Sequence, residues 1–352
     1  MRKITGIVKD PIFLEHKTPV YHPETPQRLE VIYGMLEGES MEGLFEVITP
    51  REASRDEVEL IHTHSYFDMI ASTANQTLTY LDQDTSTSEK SFSVALFAVG
   101  SIIKGIEELI KGNYQNIFAL VRPPGHHAEA QMAKGFCIFN NIAIGAMYAI
   151  KKYSIERILI VDWDLHHGNG TQHSFYSDPR VLYFSTHQYP YYPGTGDISE
   201  VGEGEGRGFT INVPLQAGYG DRDYFNIFKE ILEPVADIYM PQLVLVSAGF
   251  DTYYRDPLGG MKVTPEGFKA LTRVVQSIAE KYASNRLLLT LEGGYHLIGL
   301  CECIRAVIQQ LAGKESKPEA LEEDIPGDLN PRTINIIQSV MSVQREFWSC
   351  FQ

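Results

Sequence analysis

Within this 352-residue chain the spacing Asp162-x-Asp164-x-His166-His167 has the clearest chemical meaning. At a strand end, residues i and i+2 point the same way, so Asp164 and His166 can reach one ion. Asp251 follows a separate apolar run and can supply a third ligand. An Asp–His–Asp set leaves a position open for water, as a catalytic zinc site requires. The alternative is a carboxylate–histidine hydrogen bond without an ion, disfavoured because two acids this close repel unless a cation lies between them. A second pair, His126-His127, follows Arg122-Pro-Pro-Gly125, which either stiffens the chain ahead of it or simply turns it. With 11 histidines, roughly 0.3 adjacent pairs are expected by chance, and the chain has two. Each histidine alone reads equally well as a hydrogen-bonded loop residue. Tyr295, after Gly293-Gly294, offers a phenol for a substrate carbonyl or a plug for a loop.

Such residues need elements to hold them. Apolar runs at 116–121, 157–161, 181–184, 243–246 and 287–291 each stop abruptly at polar residues. Continuous Val/Ile/Leu runs predict strands buried on both faces, as in a parallel sheet. Helix-length segments lie between or after them at 91–110, 140–152, 221–240, 264–282 and 297–311; Thr264 with Pro265 reads as a helix entry and Gly313 as an exit. The alternation predicts an α/β fold, three-layer α/β/α with a mostly parallel sheet. In such sheets sites form beyond the carboxyl ends of the strands, where most of these candidate ligands fall.

Composition narrows the function. The chain is 43% hydrophobic and 21% charged, ordinary for a globular protein. Lys+Arg 30 against Asp+Glu 45 gives −15, a surface that repels phosphate and attracts cations. No nucleic-acid binding and no membrane association are expected. The start lacks the apolar stretch of a secretory signal, and Cys137, Cys301, Cys303 and Cys350 form no CxxC, so a reducing, cytoplasmic setting is expected. Glycines 202, 204, 206 and 208 alternate with Glu203, Glu205 and Arg207 and read as a solvated loop rather than a phosphate cradle. GxxxxGK[ST], HExxH and GxSxG are absent.

Taken in order, the motifs make the chain resemble the histone deacetylase family, which includes bacterial acetylpolyamine amidohydrolases. The resemblance rests on His22-Pro-Glu-x-Pro-x-Arg28, Arg122-Pro-Pro-Gly-His-His-Ala128, Gly135-Phe-Cys-x-Phe-Asn-Asn141 and Asp162-Trp-Asp-Leu-His-His-Gly-Asn-Gly170. It continues through Tyr192-Pro-Gly-Thr-Gly196, Ser247-Ala-Gly-Phe-Asp251, Asp256-Pro-Leu-Gly259 and Glu292-Gly-Gly-Tyr295. It spans residues 4–312, so a catalytic domain is expected over 1–313, with 314–352 an extension packed on it.

The resemblance implies an arginase-like fold and one catalytic Zn²⁺ on Asp164, His166 and Asp251, with Fe²⁺ as an alternative ion. Gly168 and Tyr253 stand where related binuclear ureohydrolases have second-metal acids, which disfavours that activity. A structural K⁺ is implied on Asp162, Ser185 and carbonyls of Asp164, His166 and Thr186, and a peripheral monovalent site near Phe175, Asp178 and Val181. The implied chemistry is hydrolysis of acetyl-lysine in a peptide or protein. His127 would be the base and acid and His126, oriented by Asp162, an electrostatic partner; Tyr295 would be the oxyanion donor and Asn169 would orient His127. Asn169 and Asp256-Pro-Leu-Gly259 point to a class II-like branch. Gly135 belongs to the substrate-binding set, Phe136 and Tyr192 would flank the lysine channel, and Asp84 would grip substrate backbone amides. Leu258 takes the place of the Glu with which polyamine-selective relatives meet a distal ammonium, so acetyl-lysine is favoured over acetylpolyamine. A catalytically inactive acetyl-lysine-binding module is the alternative of a different class. Neither a histone target nor a particular homo-oligomer follows from the residues.

Overall fold

The computed structural model describes residues 4–313 and 325–352. The five apolar runs form strands, joined in the main sheet by three more, while Thr79–Tyr80 and Ser86–Thr87 pair as a separate antiparallel ribbon. In chain order the strands of the main sheet are β1 (Thr5–Val8), β2 (Phe45–Ile48), β3 (Asn116–Ala119), β4 (Ile158–Asp162), β5 (Val181–Gln188), β6 (Thr210–Leu215), β7 (Leu243–Ala248) and β8 (Leu287–Leu291). They make one sheet in the order β2-β1-β3-β8-β7-β4-β5-β6, every neighbouring pair parallel. The central β3, β4, β7 and β8 are buried along their whole length, which accounts for their unbroken apolar sequences.

Besides two short helices at Arg55–Val58 and His64–Ala71, the helices are α1 (Gln27–Leu36), α2 (Ser91–Ile110), α3 (Asn141–Tyr153), α4 (Asn169–Phe175), α5 (Asp221–Ile227), α6 (Glu233–Tyr239), α7 (Pro265–Tyr282), α8 (Leu297–Leu311) and α9 (Pro331–Gln344). On one face α1 packs on α8 and α8 on α7, with α5 and α6 against α7; on the other α2 packs on α3 and α3 on α4. The result is the expected three-layer α/β/α arrangement around one continuous core. No described helix is long and apolar enough to cross a membrane.

Three details depart from the sequence-based expectations. The helix expected over 221–240 is two α-helices joined by a π-turn at Phe228–Leu232, just before Pro234, whose missing N–H breaks the regular ladder. Thr264 does sit at the α7 N-cap position, but its hydroxyl donates to Asp221 Oδ2 instead of capping the helix. The alternating glycines are partly packed: Gly206 is buried, and Gly208 lies so close to the Phe347 ring that an added Cβ would fall 2.6 Å from it.

Strand register brings the site together. Asp162 at the end of β4 stands opposite Ser185 of β5 and Ser247 of β7, and Ser247 opposite Thr290 of β8. The chain leaves this common edge into 163–170, 249–259 and 292–296.

Candidate active site

Asp164, His166 and Asp251 each offer a donor atom, and those atoms lie within 4.8 Å of one another. Each carboxylate is pinned by backbone: Gly293 N–H donates to Asp164 Oδ2 at 2.8 Å, and Leu165 N–H to Asp251 Oδ1 at 2.8 Å. The other oxygens, Asp164 Oδ1 and Asp251 Oδ2, meet at His166 Nδ1, at 3.2 and 3.1 Å. Burial and repulsion from Asp164 push the Asp251 carboxyl up, and the two acids raise His166 against its own burial. Two buried acids and one imidazole nitrogen converging this way fit a divalent cation. Gly293 allows the approach: a Cβ there would lie 2.3 Å from Asp251 Oδ2 and 2.7 Å from Asp164 Oδ2. Among the described residues this is the one such donor group. At Gly168, a position where ureohydrolases carry a second-metal acid, a Cβ would sit 2.2 Å from Asp162 Oδ2.

The two histidines beside this floor have opposite electrostatics. His126 Nδ1–H donates to Asp162 Oδ2 at 3.0 Å, an oxygen that also accepts from the Tyr183 hydroxyl at 3.0 Å. Burial opposes charge on His126, but Asp162, Asp164 and Glu292 outweigh it and raise its pKa to about 10. His127, equally buried, is pushed well below its ordinary value by burial and by the positive charge of His126 and His166. Its Nδ1 lies 2.8 Å from Asn169 Oδ1. Glu292 ties the segment in place, accepting from Gly125 N–H at 2.7 Å, His126 N–H at 3.2 Å and the Ser247 hydroxyl at 3.1 Å.

A cavity of about 230 Å³ opens over these groups, lined by Asp84, Gly135, Phe136, Tyr191, Tyr192, Leu258 and Tyr295 as well as His126, His127 and His166. Gly135 has φ +56°, and a Cβ would fall 2.3 Å from the His127 ring, so only glycine fits. Phe136 is itself left-handed (φ +69°), held by its N–H to Thr85 Oγ1 at 3.0 Å, and that hydroxyl donates to Asp84 Oδ1 at 3.0 Å. Asp256 fixes the opposite wall: it accepts from Tyr295 N–H at 2.6 Å and Leu258 N–H at 3.0 Å.

The structure thus brings together the three metal candidates, His126, His127, Asp162, Asn169, Tyr295 and the cavity residues singled out in the sequence. Ser185 is the strand partner of Asp162, and its hydroxyl lies 2.9 Å from His187 Nδ1. The buried Thr186 hydroxyl has no hydrogen-bond partner among the described residues. Of the peripheral set, Val181 N–H donates to the Asp178 carbonyl at 3.3 Å, and the Asp178 carboxylate pairs with Arg180. Sequence reasoning missed Tyr191, which stacks on His166 with centroids 5.7 Å apart and donates to the Leu258 carbonyl at 3.0 Å. It also gave no role to Glu292 or Asp256, although both stand inside motifs it quoted.

An α/β/α sheet with acids and histidines gathered at one carboxyl edge, around a donor group that fits a divalent cation, has the layout of a metal-dependent hydrolase. Residues 22–311 match the family model described as "Histone deacetylase domain". A probable deacetylase of Archaeoglobus fulgidus is 36% identical over 99% of this chain and 100% of its own length. Histone deacetylase HDA1 of Candida albicans is 37% identical over 93% of this chain and 41% of its own. The crystal structure of the HDA15 HD domain matches with TM-score 0.91 at 35% identity, covering 99% of this chain and 96% of that one. The chain belongs to the histone deacetylase family and is a deacetylase, a hydrolase of amides. It spans the whole Archaeoglobus relative but only 41–54% of the next three curated relatives.

Proposed function

We propose that the protein hydrolyses the amide of Nε-acetyl-lysine in a peptide or protein, with one Zn²⁺ held by Asp164, His166 and Asp251. The observation that carries this is the convergence of the three donors beneath a narrow, aromatic-walled cavity, with His126 and His127 beside them and Tyr295 in its wall. When bound, the ion polarises the acetyl carbonyl and lowers the pKa of water toward about 7. His127, held at Nδ1 by Asn169, takes the proton of the attacking water at Nε2 and later passes one to the leaving amine. His126, kept charged by Asp162, offsets negative charge as it develops on the other side. Tyr295 donates its hydroxyl to the oxyanion. Phe136, Tyr192 and Tyr191 line the lysine's methylene stem and exclude water, and Asp84 accepts from substrate backbone amides at the rim. A K⁺ on Asp162, Ser185 and the carbonyls of Asp164, His166 and Thr186 is proposed as structural support.

A peptide substrate is favoured over an acetylpolyamine because Leu258, an apolar residue, lines the cavity where a distal ammonium would need an acid. Relatives named histone deacetylases agree with that class. The test is kcat/KM of zinc-loaded enzyme on an acetyl-lysine peptide and on N-acetylputrescine, side by side. We expect the peptide to lead by about tenfold or more. A lead for the polyamine overturns the substrate; stoichiometric binding of the peptide without turnover overturns the hydrolysis.

A further inference from the structure

The nearest neighbour of Asn169 is a carboxylate that the reaction described above does not use. Glu129, at the edge of the molecule, accepts at Oε1 from Asn169 Nδ2 and lies 2.9 Å from His173 Nδ1 through the same oxygen. Asn169 Nδ2 also donates to the His127 carbonyl at 3.2 Å. A carboxylate and a carbonyl only accept, so this side of the Asn169 side chain must be its NH₂. Oδ1 is then forced toward His127 Nδ1, an acceptor facing a ring nitrogen at 2.8 Å, and that nitrogen must carry the proton. His127 Nε2 is left with its lone pair toward the cavity. We propose that Glu129 is a positioning residue: through the Asn169 amide it fixes the Nδ1–H tautomer of His127, and His173 holds Glu129 in place from solvent. The neutral Asn169 could turn over and present its NH₂ to His127; an acceptor on its far side makes that turn unfavourable. Lys134, the other cation whose charge acts on Glu129, stands over the Tyr192 ring, 5.6 Å from its centroid.

This inference rests on His127 acting as the base, and its test separates the two. Histidine side chains of the zinc-loaded protein are labelled with ¹⁵N and the His127 resonances compared in wild type, Glu129→Ala and Glu129→Gln. Wild type should show a protonated Nδ1 and bare Nε2. Glu129→Ala should mix the tautomers and lower kcat about tenfold with KM and zinc content unchanged. Glu129→Gln, which restores an acceptor, should recover both. Glu129 lies at the surface, with its side chain 25% exposed, so both variants should fold. An unchanged His127 spectrum in Glu129→Ala overturns the inference, as does a Gln variant no better than Ala. If acetyl-lysine turnover is absent in wild type, the proposed function fails while the tautomer comparison still decides the role of Glu129.

Discussion

Tyr295 and Phe differ by one hydroxyl, so Tyr295→Phe removes a donor while leaving the cavity wall filled. We expect kcat to fall about 10²–10³-fold with little change in KM, measured by steady-state kinetics on an acetyl-lysine peptide. At the floor, Asp251→Asn keeps the volume and the bond from Leu165 N–H but withdraws a charge from the donor set. That variant should lose stoichiometric zinc on dialysis, read by elemental analysis. A chelator should lower the wild-type Tm by several degrees, since a ligand present at about 1,000 times its Kd stabilises by about 4 kcal/mol, and leave Asp251→Asn unmoved. These residues were legible because each follows an apolar run and points where the sheet ends. Tyr191 was not legible, since loop conformation alone separates a tyrosine that stacks on His166 from one in solvent. Glu129 was hidden for a related reason: its partner Asn169 is 40 positions away.

At the level of elements, the segment entering α1 is fixed by buried charge. Glu24 pairs with Arg122 and with Arg28 (3.0 Å), all three fully buried, while Arg28 also donates to the carbonyls of Gly294 (2.7 Å) and Glu292 (2.5 Å). The cluster ties α1 to the segments after β3 and β8 that carry His126 and Tyr295. His16 Nε2 stands 3.6 Å from Glu24, but burial and Arg122 depress its pKa to about 3, so it is a neutral neighbour and not an ion-pair partner. Burial alone would raise Glu24; the two arginines outweigh it and hold the carboxyl well below its ordinary 4.5. A folded pKa below the unfolded one gives stability that is complete above about 4.5 and fades as pH falls toward the folded value. Glu24→Gln leaves two buried guanidiniums without their counter-charge and should cost about 3–5 kcal/mol near pH 7. The gap from wild type, read from urea midpoints, should narrow below pH 4.5 and not above it. Sequence periodicity located β3, β4, β5, β7 and β8 but passed over β1, β2 and β6. β1 has only two large apolar residues, Ile7 and Val8, after Thr5 and Gly6; β2 is an edge strand with exposed positions, and β6 contains Pro214, tolerable only at an edge.

For the whole molecule, the family motifs end near residue 312, and nothing in the residues beyond announced where they would lie. Residues 314–324 fall outside the described structure, whereas 325–352 return to the sheet and cover β6, its terminal strand. Gln344 Nε2 donates to the Thr210 carbonyl at 3.1 Å, and Trp348 Nε1 to the Gly208 carbonyl at 3.0 Å. Thr333 Oγ1 donates to Asp223 Oδ1 at 2.6 Å. Those partners are 134, 140 and 110 positions away, a distance at which local sequence pattern carries no information. Ile337, Val340, Trp348 and Phe351 join the main core. An edge strand stripped of its cover offers unpaired backbone groups to any other chain. Full burial of each large apolar side chain contributes about 1.5–3 kcal/mol, so losing four of them takes away much of the roughly 5–15 kcal/mol that holds a domain folded. Deleting 325–352 should therefore leave a protein that aggregates on expression, although every residue of the candidate active site is retained. Trp348→Ala is the graded version: it removes one anchor ring, packed 5.7 Å from Phe209, and one hydrogen bond. It should cost about 3–5 kcal/mol and lower Tm by about 5–15 °C in a thermal melt. Zinc content and KM should stay at wild-type values below the transition, because the tryptophan packs on Gly208 and Phe209, which lead into β6, and on Tyr239 of α6, and not on the floor of the site. A Tm within a degree or two of wild type would mean that the C-terminal segment lies on the sheet without supporting it.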